Sequence, residues 1–260
     1  MIHLYYTIMN AKNEMATKKQ FTSSKKENLS ASVLFTFTPK LDYLLSLLEK
    51  GISPRFVCER LPGTKYSYIA PMKCFCDIPL GKIKSHIGRY GNYGLGIKKS
   101  FLQKIGVTPV IYIHQNSESF FRFKKTTREE LAKTPFLPLL KRYNGDDYYI
   151  EPETLKVERK RIRFYDEREW RFIPKGAKPD TSNQFQTLEE GAIFVQQMNF
   201  DQKDEYASIQ IPFDEIEYII IGKKKETAEI IKQLRMKFGR TEMEGLLSKL
   251  ISAESIIKDF

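Results

Sequence analysis

The chain has 260 residues, 41% of them hydrophobic and 13% aromatic, too apolar for a disordered polymer and long enough to bury a sizeable core in one main domain. Lysine and arginine outnumber aspartate and glutamate 43 to 32, and the resulting +11 permits an anionic partner such as nucleic acid, a nucleotide or an acidic protein without proving one. Three cysteines without C-x-x-C spacing and three histidines exclude a disulfide framework, a four-ligand zinc site and a histidine-based metal centre, and no apolar run approaches the roughly 18 to 20 residues of a membrane helix.

The opening "MIHLYYTIMN" has neither a basic start nor a small-residue cleavage site, so it does not read as a secretory signal, and the protein is expected in the cytoplasm. Residues 1–30, with the polar and basic tract from Lys18 to Lys26, are expected to form a flexible arm, and Met15 offers a second start. "VLFTFT" (33–38) alternates and predicts a strand. "PKLDYLLSLLEKG" (39–51), apolar at 41, 44, 45, 47 and 48, predicts a helix closed by Gly51. An extended stretch through Pro54 follows, then one or two strands over 66–80 and a short helix over 81–91. A strand around Leu95–Ile97, a helical turn at "KSFLQKIG" and a strand at 107–114 come next. Residues 117–150 are expected as a helical insertion with a turn at Asn144-Gly145, and 161–174 as a strand pair or one long strand. A polar connector (175–190) leads to "GAIFVQQ". Residues 206–222 carry the clearest strand pattern, 223–239 a helix stopped at Gly239, and "EGLLSKLISAESIIKDF" (244–260) a further strand or helix. The fold class is α+β, with mixed sheets of short strands and intervening helices in a single domain over 31–260.

Three places could carry chemistry. In "FYDEREWRF" (164–172) a strand would set Glu167, Glu169 and Arg171 on one face and Trp170 and Phe172 on the other, in the core. The spacing leaves two readings open: a carboxylate pair with altered proton affinity beside a cation, or an exposed strand face whose charges pair with Arg163 or Arg168. "HIGRYGNYGLGI" (86–97) interleaves glycines with Arg89, Tyr90 and Tyr93, which suits either a nucleotide-stacking loop or a tight structural one, and lacks both the Rossmann and the P-loop order. Arg55 and Arg60 each offer forked donors for a phosphate or lie on the surface. Buried structural thiols are the expected role of "CFC" (74–76).

From residue 33 onward, "LFTFTPKLDYLLSLLEKGISPR", "KCFCDIPLGKIKSHIGRYGNYGLGIKKSFLQKIGVTPVIYI", "YDEREWRF" and "IEYIIIG" resemble the AbiGi family of abortive phage-infection proteins. That resemblance implies the antitoxin side of a two-gene defence operon, with a partner similar to a nucleotidyltransferase toxin. The order of opening strand, aromatic glycine loop and late E-x-E strand is also similar, more distantly, to ADP-ribosyltransferases, and implies NAD as cofactor if the chain is an enzyme. On that likeness Glu169 would stabilise the cationic ribose, Glu167 would precede it, and Tyr93 or Tyr90 would be the middle residue. Thr36, Arg55, Tyr90 and Arg171 would line the dinucleotide site. Thr36 stands where many such enzymes have histidine and cannot replace an imidazole, so Arg55 or Arg60 takes over or the pocket is inactive. The resulting expectation is an antitoxin-like or partner-regulating protein on an ADP-ribosyltransferase-like scaffold. The alternatives are an active NAD-dependent transferase that modifies nucleic acid or protein, and a non-catalytic nucleic-acid-binding module.

Overall fold

A computed structural model describes residues 31–64, 66–134, 136–150, 157–182, 185, 187–201 and 206–259, so the expected arm over 1–30 lies outside the described residues. In chain order the strands are β1 (Val33–Thr38), β2 (Arg55–Arg60), β3 (Ser67–Cys76), β4 (Tyr93–Lys98), β5 (Thr108–Pro109), β6 (Ile111–Ile113), β7 (Leu140–Arg142), β8 (Gly145–Ile150), β9 (Val157–Ile162), β10 (Glu169–Phe172), β11 (Ile216–Ile221) and β12 (Leu250–Ser252). The α-helices are α1 (Leu41–Lys50), α2 (Lys84–Tyr90), α3 (Lys99–Lys104), α4 (Glu118–Lys125), α5 (Arg128–Ala132), α6 (Leu188–Asp201), α7 (Thr227–Lys237), α8 (Arg240–Leu247) and α9 (Ala253–Asp259). The class is α+β, as the mixed pattern predicts.

The main sheet runs β12-β11-β4-β1-β3-β10-β5, with β2 paired to β3. Its pairs are antiparallel except β11 with β12. Alternation divides its side chains between two cores. Leu34, Leu95, Ile97, Phe75, Phe172, Ile219 and Ile221 pack under α1, α7 and α8, where Leu44, Leu45, Leu47 and Leu48 of α1 each contribute roughly 1.5–3 kcal/mol of burial. Val33, Phe35, Cys76 and Ile220 face the other way, onto Ile83 and Ile87 beside and on α2 and Ile256 of α9. Gly94 and Gly96, which the sequence left open as part of a ligand loop, lie within β4. A Cβ there would sit 2.7 Å from the Thr36 carbonyl oxygen or 2.7 Å from the Phe35 ring, so these glycines let β4 close on its neighbours.

Two expectations are corrected. The stretch 117–150 is helical only over α4 and α5 and then turns into β7 and β8. Leu131, Leu137 and Leu140 bury against Tyr68, Ala70 and Met72 of β3, so apolar contact with the sheet outweighs the helical propensity of this segment. Residues 161–174 are not one strand or a simple pair, because β9 gives way to a 3-10 turn at Phe164–Glu167 before β10 begins. Among the described residues no helix is long and apolar enough to cross a membrane.

Candidate functional site

β10 sets Glu169 opposite Cys76 and Arg171 opposite Cys74, so both charged side chains share the α2 face of the sheet, while Trp170 and Phe172 pack into the α1 core as alternation predicts. Glu167 reaches the same place by another route. It ends the 3-10 turn, and Arg168, the sole non-glycine residue with positive φ among those described (44°), swings the chain so that both carboxylates meet one ammonium. Lys141 Nζ on β7 donates to Glu169 Oε2 at 2.6 Å and to Glu167 Oε2 at 3.0 Å.

Arg171 is 0% exposed, and each of its five N–H donors has an acceptor inside the protein. Nε donates to Glu169 Oε1 at 2.7 Å, and Nη2 to Glu59 Oε1 at 2.7 Å and Glu169 Oε2 at 3.3 Å. Nη1 donates to the Pro138 carbonyl at 2.6 Å and the Tyr68 hydroxyl at 3.2 Å. From α2, Arg89 Nη1 holds Glu167 Oε1 at 2.9 Å while its Nη2 pairs with Asp147, and the Tyr90 hydroxyl donates to Glu167 Oε1. The Tyr112 hydroxyl on β6 accepts the Glu169 backbone N–H at 2.8 Å. The result is one buried network that ties β2, β3, β6, β7, β10 and α2 together.

Its electrostatics follow from burial and pairing. Burial pushes the Glu169 carboxyl up, but Arg171 and Lys141 outweigh it and hold the group well below the usual carboxylate range. Burial opposes the charge of Lys141, and Glu169, Glu59 and Glu167 more than restore it. Tyr90 is pushed up by burial and by Glu167. Beside it, His86 is 7% exposed, neither ring nitrogen has a hydrogen-bond partner among the described residues, and its ring centroid lies 5.6 Å from that of Tyr90. Burial pushes its imidazole down, Glu167 opposes and Arg89 assists.

Of the residues singled out in the sequence, Glu167, Glu169, Arg171 and Tyr90 converge. Glu169 is 6% exposed, which overturns the reading of an exposed strand face paired with Arg163 or Arg168. Tyr93 and Thr36 do not join them. Tyr93 pairs with Thr38 in register, on the α1 side of the sheet, and its hydroxyl donates to Glu226 Oε1 at 3.2 Å. Thr36 is buried opposite Leu95 on that same side. Arg55 stands at the exposed start of β2, where Nη1 donates to the Asn199 carbonyl at 3.2 Å. The expected dinucleotide-lining set is therefore divided by the sheet, and Arg171 has no donor left for a phosphate. Both Glu169 oxygens accept hydrogen bonds from cations within the protein, Oε1 from Arg171 and Oε2 from Lys141 and Arg171. Lys141, Glu59 and His86 were missed. The one available signal was Lys141 at the end of the apolar run "PFLPLL", where a buried cation requires an acidic partner.

Comparisons with known proteins fit this chain into one group. The family model described as abortive phage resistance protein AbiGi, antitoxin, matches residues 64–222. The abortive phage resistance protein AbiGi of Lactococcus lactis subsp. cremoris is 23% identical over 256 residues, covering 80% of this chain and 98% of that protein. No solved structure matches the chain.

Proposed function

The chain belongs to the AbiGi family of abortive phage resistance proteins, and on that premise we propose that it acts in anti-phage defence as the antitoxin that restrains a partner toxin. The observation that carries the reading is the family match over 64–222, which takes in every charged member of the buried network except Glu59. A network whose donors and acceptors are satisfied internally suits a rigid scaffold that presents a surface to a partner. By the family likeness, that partner is similar to a nucleotidyltransferase and is encoded beside this chain.

The test is co-expression with the product of the adjacent open reading frame. The neighbour alone is expected to arrest growth, this chain to restore it, and the two to purify together. Growth arrest that this chain leaves unchanged, with no joint purification, would remove the antitoxin reading. Cells carrying both genes are expected to plate phage with reduced efficiency relative to cells carrying neither.

A further inference from the structure

We propose that an exposed stack of tyrosines beside the β8–β9 hairpin binds single-stranded nucleic acid. The stack is built from three places in the fold. Tyr165 lies in the 3-10 turn before β10, Tyr143 follows β7, and Tyr112 belongs to β6. Tyr143 stacks on Tyr165 with ring centroids 5.1 Å apart and planes 22° from parallel, and Tyr112 meets Tyr165 edge-on at 5.4 Å. His114 meets Tyr143 edge-on at 5.1 Å. Yet Tyr165, with Tyr143 stacked on it and Tyr112 edge-on, remains 50% exposed, so part of an ordered ring is open to solvent.

The rings are held before any ligand arrives. The Tyr143 backbone N–H donates to the Ile113 carbonyl at 2.9 Å, the Tyr165 N–H to the Tyr143 carbonyl at 3.2 Å, and the Tyr112 hydroxyl is fixed by the Glu169 N–H. Pre-set aromatic faces lower the ordering cost of binding. Exposed Arg161, Arg163 and Arg168 neighbour Tyr165 in the chain and bring positive charge to that surface. Asp166 pairs with Arg163 at 2.8 Å and Asp146 lies opposite Arg161 in register, which tempers the charge without reversing it.

A half-exposed, pre-ordered ring with arginines beside it in the chain fits an unpaired base and its phosphates. A duplex keeps its bases stacked inside and offers the ring nothing. This activity goes beyond restraint of a toxin, and of the rings it uses Tyr112 touches the ion network through its hydroxyl while Tyr143 and Tyr165 stand beside it.

The experiment is fluorescence anisotropy with a labelled single-stranded oligonucleotide and a blunt duplex of the same length, on the full chain. The single strand is expected to bind and the duplex to bind more weakly, with affinity falling as salt rises. Tyr165→Ala is expected to weaken binding about 10- to 100-fold, while Tyr165→Phe stays within about threefold because the ring is kept. Arg168→Gly suits the left-handed backbone at that position, and is expected to weaken binding and lower the salt dependence by about one phosphate contact. Toxin restraint is expected to survive all three substitutions. The proposal is overturned if the wild-type chain fails to bind the single strand at low salt, if it prefers the duplex, or if Tyr165→Ala binds as well as wild type. It is equally overturned if Tyr165→Ala abolishes toxin restraint while oligonucleotide binding is unchanged, since the stack would then be a protein contact.

Discussion

Replacing Lys141 with methionine would keep the volume of the side chain but leave Glu59, Glu167 and Glu169 short of a buried cation, with Arg171 and Arg89 as their remaining partners. A loss of about 3–5 kcal/mol is expected, measured by chemical denaturation at neutral pH, with part of it recovered when Glu167→Gln is added. A loss below about 1 kcal/mol would mean that water reaches the network and screens it. His86 gives a prediction with a sign. Its imidazole sits below the ordinary value of 6.5 through burial, so the unfolded chain takes up the proton at a higher pH than the folded one. The folded state therefore has its full advantage above about 6.5 and loses it as pH falls from there toward the lower folded value. His86→Phe is expected to flatten the fall in stability between about pH 7 and pH 5.5. An unchanged slope would place the acid sensitivity elsewhere. Glu169 cannot be confused with it, because its depressed carboxyl contributes a loss only below its ordinary 4.5.

At the level of the elements, Gly51 is where a helix, a turn and a distant segment meet. Its φ of 79° suits glycine, and a Cβ would lie 2.1 Å from the Ile209 carbonyl oxygen, an atom of backbone that cannot rotate away. Gly51→Ala is expected to cost at least about 2 kcal/mol, read as a lowered thermal midpoint. β1, α1, α2 and β4 were legible in the sequence because their own periodicity decides them. α7 was equally plain and ends two residues before the Gly239 stop. β7 was not, since three residues after a proline-broken run carry no period, and only Ile111–Ile113 alongside makes them a strand. Nor was the break at Arg168, where the pull of Lys141 on two carboxylates sets a conformation that no local preference of arginine predicts. Of the candidate site, Glu169 and Arg171 were readable from two-residue spacing, Glu167 joins them through the 3-10 turn instead, and Glu59 and the central Lys141 were not readable, because they come from far away in sequence. α6 was likewise unassigned. It closes the open side of β2 with one residue, Asn199, whose side chain accepts the Phe56 N–H at 2.8 Å and donates to the Phe56 carbonyl at 2.9 Å, as a neighbouring strand would.

Across the whole molecule, the sheet has a protected middle and a lighter fringe. β4, β1 and β11 lie between two apolar layers, whereas β8 and β9 pair only with each other among the described residues. Hydrogen exchange is expected to be slowest in β1, β4 and β11 and at least about tenfold faster in the β8–β9 hairpin, a difference of roughly 1.4 kcal/mol in opening free energy. Similar rates in both would show that the hairpin opens only with the whole protein. The order of strands has a further effect on how the protein comes into being. β11, made long after β4 in chain order, pairs directly with it, and β12 follows later still. A ribosome has therefore to release residues 216–221 before either apolar layer can close, and such distant pairing is slow. A piece that stops ahead of residue 216 lacks the neighbour of β4 and the isoleucines that β11 gives to both apolar layers, and is expected not to fold.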